Sequence, residues 1–404
     1  MFNLFVIGVS DNILSATDQE ILSTCSYAFA TPRLQKIISH LPLEVHNISP
    51  VQEAIESITT KLAVGNVAVL ASGDPLFYGI GKRLLSEVPQ EVIEFHPAVS
   101  SIQKAAALFK THWDDATILS LHGRNHPHVP GLILQHSKCL LLTDTKNSPN
   151  EICKKIQDYL TLIEDENTAL NISVMVAENI GLPDQRLFSG NLTEAVAATF
   201  SSLNVMLIER HATSNSDFPD TLGLTEDEVV HSRGLITKSE VRAATIHQLR
   251  LPKTGVFWDV GAGSGSISIE AARSHPELTL FAIEHKMEEI ANIKANIRKF
   301  GCYNIIPVFG KAPEELTDLP APDRIFVGGS SGTLSAIAEI AKNRLPANGR
   351  IVINGVIEKT IKEAPELLTR CNFSTETTTI SVTRTNSSTQ TVTFNPITIT
   401  TGCR

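Results

Sequence analysis

Short aliphatic runs alternate along this chain with longer stretches whose apolar positions recur at helical spacing. In the first half the runs predict strands at Leu4–Ile7, Asn66–Ala71, Val92–Phe95, Thr117–Leu121, Lys138–Leu142, Ile172–Val176 and Asn204–Glu209. Helical periodicity over Val51–Ala63, Ser100–Phe109 and Pro149–Ile163 lies between them. This alternation predicts an α/β architecture, because parallel strands need a crossover long enough to hold a helix.

The rhythm breaks at His211–Asp220, a polar stretch almost without aliphatics that is followed by Glu226-Asp227-Glu228. That is the composition of a linker. It predicts one domain at residues 1–210, a linker at 211–221 and a second domain at 222–404. In the second half, strands are expected at Gly255–Val260, Leu278–Ile283, Ile305–Phe309, Arg324–Val327 and Arg350–Asn354. Within Glu288–Phe300, residues Ile290, Ile293, Ile297 and Phe300 share one helical face, the side that would pack on a sheet. Thr375–Val382 and Gln390–Thr400, rich in Thr, Val and Ile, flank a polar Asn386-Ser387-Ser388. They predict an antiparallel hairpin at the sheet edge. Parallel strands closed by an antiparallel pair form the plan of a Rossmann-type methyltransferase.

Composition narrows the function classes. A length of 404 residues favours two or three domains over a single core. Although 42% of residues are apolar, no apolar run reaches the roughly 18 needed for a membrane span. The N-terminus opens on Leu4-Phe5-Val6-Ile7 with no basic region ahead of a signal-type stretch, so a cytoplasmic location without membrane partners is expected. Net charge is −9 and no Lys/Arg cluster is dense enough to face phosphates, which disfavours nucleic acid. A polycarboxylate ligand stays open, because a local pocket can be basic within an acidic chain. Cys25, Cys139, Cys153, Cys302, Cys371 and Cys403 are scattered without paired spacing, and the thirteen His show no HExxH-like pairing. No protein-held metal is therefore expected.

Two stretches have the shape of a cofactor pocket. The sharper is Val256-Phe257-Trp258-Asp259-Val260-Gly261-Ala262-Gly263-Ser264-Gly265-Ser266-Ile267, an apolar run, an acid, then glycines at alternate positions. Glycines directly after a strand let backbone approach a bulky ligand and turn into the next helix, here Ser266–Arg273, whose first N–H groups are unpaired. The spacing is GxGxG rather than GxGxxG, which suits S-adenosylmethionine (SAM) better than a dinucleotide. Glu284 follows the next strand, 23 residues beyond Gly261, where a carboxylate can accept both hydroxyls of a ribose or simply stand exposed. Gly310-Lys311-Ala312-Pro313 would lie at the adenine, and Gly328-Gly329-Ser330, after Asp323, would face the methyl group and the substrate.

At this point a resemblance becomes specific. Gly234-Leu235-Ile236-Thr237-Lys238-Ser239-Glu240-Val241-Arg242, then Asp259–Gly265, Ala282-Ile283-Glu284, Gly310–Pro313, Asp323–Ser330 and Leu345–Ile353, resemble in order and spacing the decarboxylating precorrin methyltransferase module of cobalamin biosynthesis. The resemblance covers nearly all of residues 222–404 and implies SAM contacts at Thr237, Gly261, Ala262, Gly263, Ser264, Gly265, Glu284 and Ala312.

The other stretch is Val67-Ala68-Val69-Leu70-Ala71, running into Ser72-Gly73-Asp74-Pro75-Leu76-Phe77-Tyr78-Gly79, which by itself reads only as a tight turn. With His96-Pro97-Ala98-Val99-Ser100-Ser101-Ile102-Gln103, Ser120-Leu121-His122-Gly123-Arg124 and Glu178-Asn179-Ile180-Gly181, it resembles the tetrapyrrole (corrin/porphyrin) methylase family, in its carbon-5 branch. That resemblance implies a fold of two α/β lobes with SAM in the cleft between them, touched by Gly73, Asp74, Phe77, Ser100 and Ser101. The chain departs from the family at Ile7-Gly8-Val9-Ser10-Asp11-Asn12, where Gly8 is kept but the family's second glycine is lost. This bears on how the tetrapyrrole sits. His122 and Arg124 read either as structural hydrogen-bonding groups or as ligands of substrate carboxylates, to which Arg is geometrically suited.

Together the resemblances imply a bifunctional SAM-dependent methyltransferase acting on carbons 5 and 15 of a precorrin, metal-free or with cobalt. The C-terminal half would methylate carbon 15 and release carbon dioxide from the ring-C acetate, and the N-terminal half would methylate carbon 5. The implied partners are the tetrapyrrole itself and further copies of the chain as a homo-oligomer. The alternative is a SAM methyltransferase for another tetrapyrrole or small molecule, with a non-catalytic N-terminal docking domain.

Overall fold

The computed structural model describes residues 2–11, 13–211, 222–232, 236–388 and 390–404. The expected linker beyond His211, and Gly234-Leu235, lie outside the described residues. No helix among the described residues is long and apolar enough to cross a membrane.

Three main sheets organise the chain. The first is wholly parallel, built from β1 (Leu4–Val9), β2 (Tyr27–Ala30), β3 (Glu44–Asn47), β4 (Val67–Ser72) and β5 (Ile93–His96) in the order β3-β2-β4-β1-β5. Helices α1 (Ala16–Ser23), α2 (Pro32–Ile38), α3 (Val51–Lys61) and α4 (Gly81–Glu87) connect its strands. Leu4, Val6 and Phe29 pack with Ile55 and Ile58 on one face, while Phe5, Ile7 and Ala28 pack with Leu22, Leu34 and Ile38 on the other. Burial on both faces is why Leu4–Val9 lacks polar alternation.

The second sheet is mixed: β6 (Thr117–Ser120), β7 (Lys138–Leu142), β8 (Ile172–Glu178), β9 (Arg186–Asn191) and β10 (Asn204–Arg210) in the order β6-β7-β10-β8-β9. Only β6 and β7 are parallel, and β10 runs antiparallel to both its neighbours. Helix α5 (Ser101–Phe109) crosses from the first sheet, and α6 (Val129–Leu134), α7 (Pro149–Leu162), α8 (Glu166–Leu170) and α9 (Leu192–Ala197) complete this layer. Strands β2, β3 and β9 were not expected from the sequence. YAFA, EVHN and RLFSGN are too short or too polar to stand out as apolar runs.

The third sheet has β11 (Gly255–Val260), β12 (Leu278–Glu284), β13 (Ile305–Phe309), β14 (Arg324–Val327), β15 (Arg350–Gly355), β16 (Ser374–Ile380) and β19 (Ile397–Cys403), ordered β13-β12-β11-β14-β15-β19-β16. Between β16 and β19 the chain forms a separate two-stranded ribbon, β17 (Thr383–Thr385) with β18 (Thr391–Thr393). The terminal segments therefore do not make one simple hairpin: β19 is inserted beside β15, β16 takes the edge, and the expected second strand divides into β18 and β19. Helices α10 (Ser239–Leu249), α11 (Ser266–Ser274), α12 (Met287–Phe300), α13 (Leu334–Arg344) and α14 (Glu358–Arg370) flank the sheet. The stripe Ile290, Ile293, Ile297 and Phe300 on α12 is buried as its spacing predicts. Gly301, at φ 65°, supplies the left-handed turn that ends the helix.

The second and third sheets share a core. Ile133, Ile156, Tyr159 and Ile163 belong to the same buried cluster as Phe300, Cys302, Tyr303 and Ile305. Polar pins cross this seam. His128 Nε2–H donates to the Tyr303 carbonyl at 2.8 Å, and the Tyr159 hydroxyl donates to the Ile305 carbonyl at 2.7 Å. The Tyr303 hydroxyl reaches Asp165 at 3.2 Å and Thr168 at 3.1 Å.

Candidate active sites

Sheet order in the third layer reverses at β11, whose neighbours are β12 and β14. Ligands of open parallel sheets bind at the carboxyl ends of the strands where the order reverses, and the glycine loop sits there. Gly261, Gly263 and Gly265 have φ of 71°, 55° and 77°, a region that side chains rarely enter. Gly261 lies against the backbone of Gly329, and Gly265 packs on Ile293 of α12. A Cβ at Gly263 would meet no protein atom within 4 Å. The loop is thus closed on two sides and open on the third.

Hydrogen bonds hold that shape. The N–H groups of Gly261 and Ala262 donate to the Ile283 carbonyl at 2.9 and 3.1 Å, and the Gly265 N–H donates to the Ala262 carbonyl at 2.9 Å. Buried Ser264 offers its carbonyl to the Asn296 amide at 2.9 Å. Glu284 is 5% exposed, which removes the reading of a free surface carboxylate. Its Oε2 accepts the Gly263 N–H at 3.0 Å, while Oε1 accepts the N–H groups of His285 and Lys286 at 2.8 and 3.0 Å. One side chain therefore ties the glycine loop to the start of α12.

Asp259 is fully buried, and its Oδ2 accepts the Ser268 hydroxyl at 2.7 Å. Burial pushes its carboxyl up to about 7, with Glu284 adding to the rise. Asp259 Oδ1 has no hydrogen-bond partner among the described residues, an uncommon state for a buried oxygen.

Glu284, Ala312, Gly329 and Ser330 line a narrow pocket of about 20 Å³ at this switch point. Gly328, Gly329 and Ser330 also line a cavity of about 650 Å³ that extends to Asn354 and α14. The loop after β14 separates a tight compartment from a roomy one. Thr237 lines neither; its carbonyl accepts from Arg242 at 3.1 Å. Arg242 in turn forms a buried ion pair with Glu270 at 3.2 Å, linking α10 to α11.

The other site lies between the first and second sheets, in a cleft of about 770 Å³. Three loops converge at its floor: a Cβ on Gly8 would collide with the Gly73 carbonyl and the Ala98 N–H, so only glycine fits there. Gly73, at φ 68°, turns the chain out of β4 and faces the backbone of Ser100. Gly73, Phe77, Ser101, His122 and Arg124 line the cleft. Asp74 and Ser100 are not among its lining residues, and their bonds are local. Asp74 Oδ1 accepts the Leu76 N–H at 2.8 Å, and Ser100 caps α5 in a reciprocal box with Gln103. His122 Nδ1 lies 3.0 Å from the Thr143 carbonyl.

The departing loop has a partner the sequence did not reveal. Asp11, at φ 56°, accepts from Lys104 of α5 at 2.6 Å, and its carboxyl is held below the usual range mainly by that bond. The same carboxylate lies against Gly181, where a Cβ would collide with it. Asp11 thus links three walls of the cleft. Tyr78, at φ 52°, also spans it by donating to the Ile118 carbonyl at 3.2 Å.

Residues 11–196 match the family model of tetrapyrrole (corrin/porphyrin) methylases, and residues 228–401 match that of the precorrin methyltransferase domain. A Sinorhizobium protein named precorrin-6Y C(5,15)-methyltransferase (decarboxylating) is 31% identical over 363 residues, covering 87% of this chain and 84% of its own length. Cobalt-precorrin-6B C(15)-methyltransferase (decarboxylating) of Salmonella typhimurium is 36% identical over 129 residues, covering 32% of this chain and 66% of its own. A crystal structure of precorrin-6Y C5,15-methyltransferase from Geobacter metallireducens has 38% identity and a TM-score of 0.45, covering 46% of this chain and 100% of the other. With the Sinorhizobium relative 31% identical over 87% of this chain and 84% of its own length, the chain belongs to the family of decarboxylating precorrin-6Y C(5,15)-methyltransferases.

Proposed function

We propose that this protein methylates a precorrin-6Y-type macrocycle at carbons 5 and 15 with SAM as donor, and releases carbon dioxide from the ring-C acetate. The observation that carries the reading is the relative of that name aligned over 87% of the chain, hence over both sites. We assign carbon 5 to residues 1–210 and carbon 15 with decarboxylation to residues 222–404, in keeping with the two family models.

The N-terminal cleft has room for the cofactor, and the C-terminal glycine loop offers it backbone groups beside a pocket of about 20 Å³ that would have to widen around it. At the C-terminal site the glycine loop presents an open face at Gly263. There Gly261, Ala262, Gly263, Ser264 and Gly265 would cradle the donor, Glu284 would face its ribose and Ala312 its adenine. At the N-terminal site Gly73, Phe77 and Ser101 would hold it, while Asp74 and Ser100 shape the wall behind. A cleft of about 770 Å³ is within the usual range for small-molecule sites.

When bound, SAM supplies an electrophilic methyl group on a sulfonium. What the protein contributes is alignment and exclusion of water. Glu284 fixes the Gly263 backbone, and Gly328, Gly329 and Ser330 form the wall between the narrow pocket and the larger cavity. The reduced macrocycle serves as its own carbon nucleophile and as electron sink for decarboxylation, so no side-chain nucleophile is required.

Mass spectrometry of precorrin-6Y after incubation with the protein and methyl-labelled SAM tests the reading. The expected product carries two added methyl groups and has lost one carboxyl. No label on the ring would overturn the assignment. Homo-oligomerisation, expected from both resemblances, is read from the sedimentation mass of the full chain.

A further inference from the structure

The cleft between the first two sheets is basic within an acidic chain. Arg33, Lys82, Arg83, Lys104 and Arg124 line it, against one carboxylate, Asp11. Two of these cations are already engaged: Lys104 pairs with Asp11 at 2.6 Å, and Arg83 pairs with Glu87 at 2.8 Å. Among the described residues, Arg33, Lys82 and Arg124 have no carboxylate partner.

These three cations come from separate elements. Arg33 lies on α2 and donates to Ser72 Oγ at 2.6 Å, which sets it beside Gly73. Lys82 lies on α4, beyond the Phe77-Tyr78 turn. Arg124 follows β6 on the opposite side and rests over the Tyr78 ring, 5.8 Å from its centroid. Tyr78 is itself fixed by its bond to the Ile118 carbonyl, so Arg124 sits on an anchored platform. Cations gathered round one cavity without counter-charges raise the local concentration of an anion and select where its charges lie.

We propose that Arg33 and Lys82 on one wall, with Arg124 on the other, bind separate peripheral carboxylates of the tetrapyrrole and so orient carbon 5. The proposal rests on the function assigned above and adds Arg33 and Lys82 to it. Spacing the contacts over both walls fixes the rotation of a macrocycle whose edge is a ring of similar acid groups. A single cation could not do so.

The test uses the full chain with precorrin-6Y, scoring the carbon-5 and carbon-15 products separately. Arg33→Gln, Lys82→Gln and Arg124→Gln alter exposed side chains and keep the fold. Each is expected to raise KM for the tetrapyrrole in carbon-5 methylation roughly three- to tenfold. A double variant should give close to the product of the single effects. KM for SAM should stay unchanged in the Lys82→Gln and Arg124→Gln variants, as should the carbon-15 product in all three, and Arg124→Lys should recover only part of the loss, because a lysine cannot stack on Tyr78 as a guanidinium does. Unchanged tetrapyrrole KM in all three Gln variants would overturn the proposal. Wild-type protein that methylates neither carbon would instead overturn the functional reading beneath it.

Discussion

Gly263 shows what a single residue position demands of this chain. Its φ of 55° disfavours any side chain, and a Cβ there would meet no atom of the described residues within 4 Å. Gly263→Val should therefore strain the backbone and fill the donor's space together, lowering SAM affinity at the C-terminal site by at least about a hundredfold. Calorimetric titration should count one site per chain in place of two; two surviving sites would refute the placement. Asp259 makes a different demand. Burial raises its carboxyl to about 7 from an ordinary 3.8, so ionisation is disfavoured in the folded state. Its contribution to stability is complete below pH 4 and is lost as the pH rises through 7. Asp259→Asn keeps an acceptor for Ser268 but cannot ionise. Its stability relative to wild type should improve by a few kcal/mol, on the order of 2–4, between pH 4 and pH 8. Urea unfolding at both pH values checks this, and a constant difference would count against it.

At the scale of elements, the ribbon of β17 and β18 is clamped to the start of α10. Arg384 donates to Glu226 at 2.7 and 2.9 Å and to Glu240 at 2.6 Å, and it packs over Phe394. The Arg384 bond holds the Glu226 carboxyl down at about 2. A depressed acid contributes stability above its ordinary value of 4.5 that is lost as pH falls towards 2. Arg384 is about a third exposed, so solvent screens the pair and the loss on Arg384→Ala is set at roughly 1 kcal/mol. Hydrogen exchange in residues 383–393 should rise several-fold at pH 7 in that variant and much less at pH 3. Equal protection in variant and wild type would show that the ribbon holds without the clamp. Legibility varied with burial at this scale. Lys138–Leu142, Gly255–Val260, Ile305–Phe309 and Arg324–Val327 have the bounds expected from sequence, because strands with buried positions on both faces read as mainly apolar runs. Strands β3 and β9 are too polar to give that signal.

The whole molecule is joined by the seam between α6–α8 and the α12–β13 turn. His128, 7% exposed and pressed edge-on against Tyr159, is held neutral because burial lowers its pKa to about 4 from 6.5. Its contribution is present above 6.5 and is lost as pH falls through 4. Tyr303→Ala removes a buried ring together with its bonds to Asp165 and Thr168, a change expected to cost about 3–5 kcal/mol at the seam. Scanning calorimetry should then resolve two unfolding transitions at pH 7. Wild type should approach the same behaviour only near pH 4–5. A single transition in the variant would mean that the sheets do not rely on this seam.

The amino-acid sequence by itself determined the alternation of strands and helices, the glycine loop after β11 and the turn after β4. These depend on neighbours a few residues apart: burial on both faces forces apolar runs, and positive φ selects glycine. Tertiary structure decided what pairing across long separations controls. It closed Glu284 onto Gly263, bound the divergent Asp11 to Lys104, and drew Tyr303 under His128. It also left Arg33, Lys82 and Arg124 facing a common cleft with no carboxylate partner among the described residues. A cation's lack of a partner is a property of its surroundings in space, and no local pattern of residues encodes it.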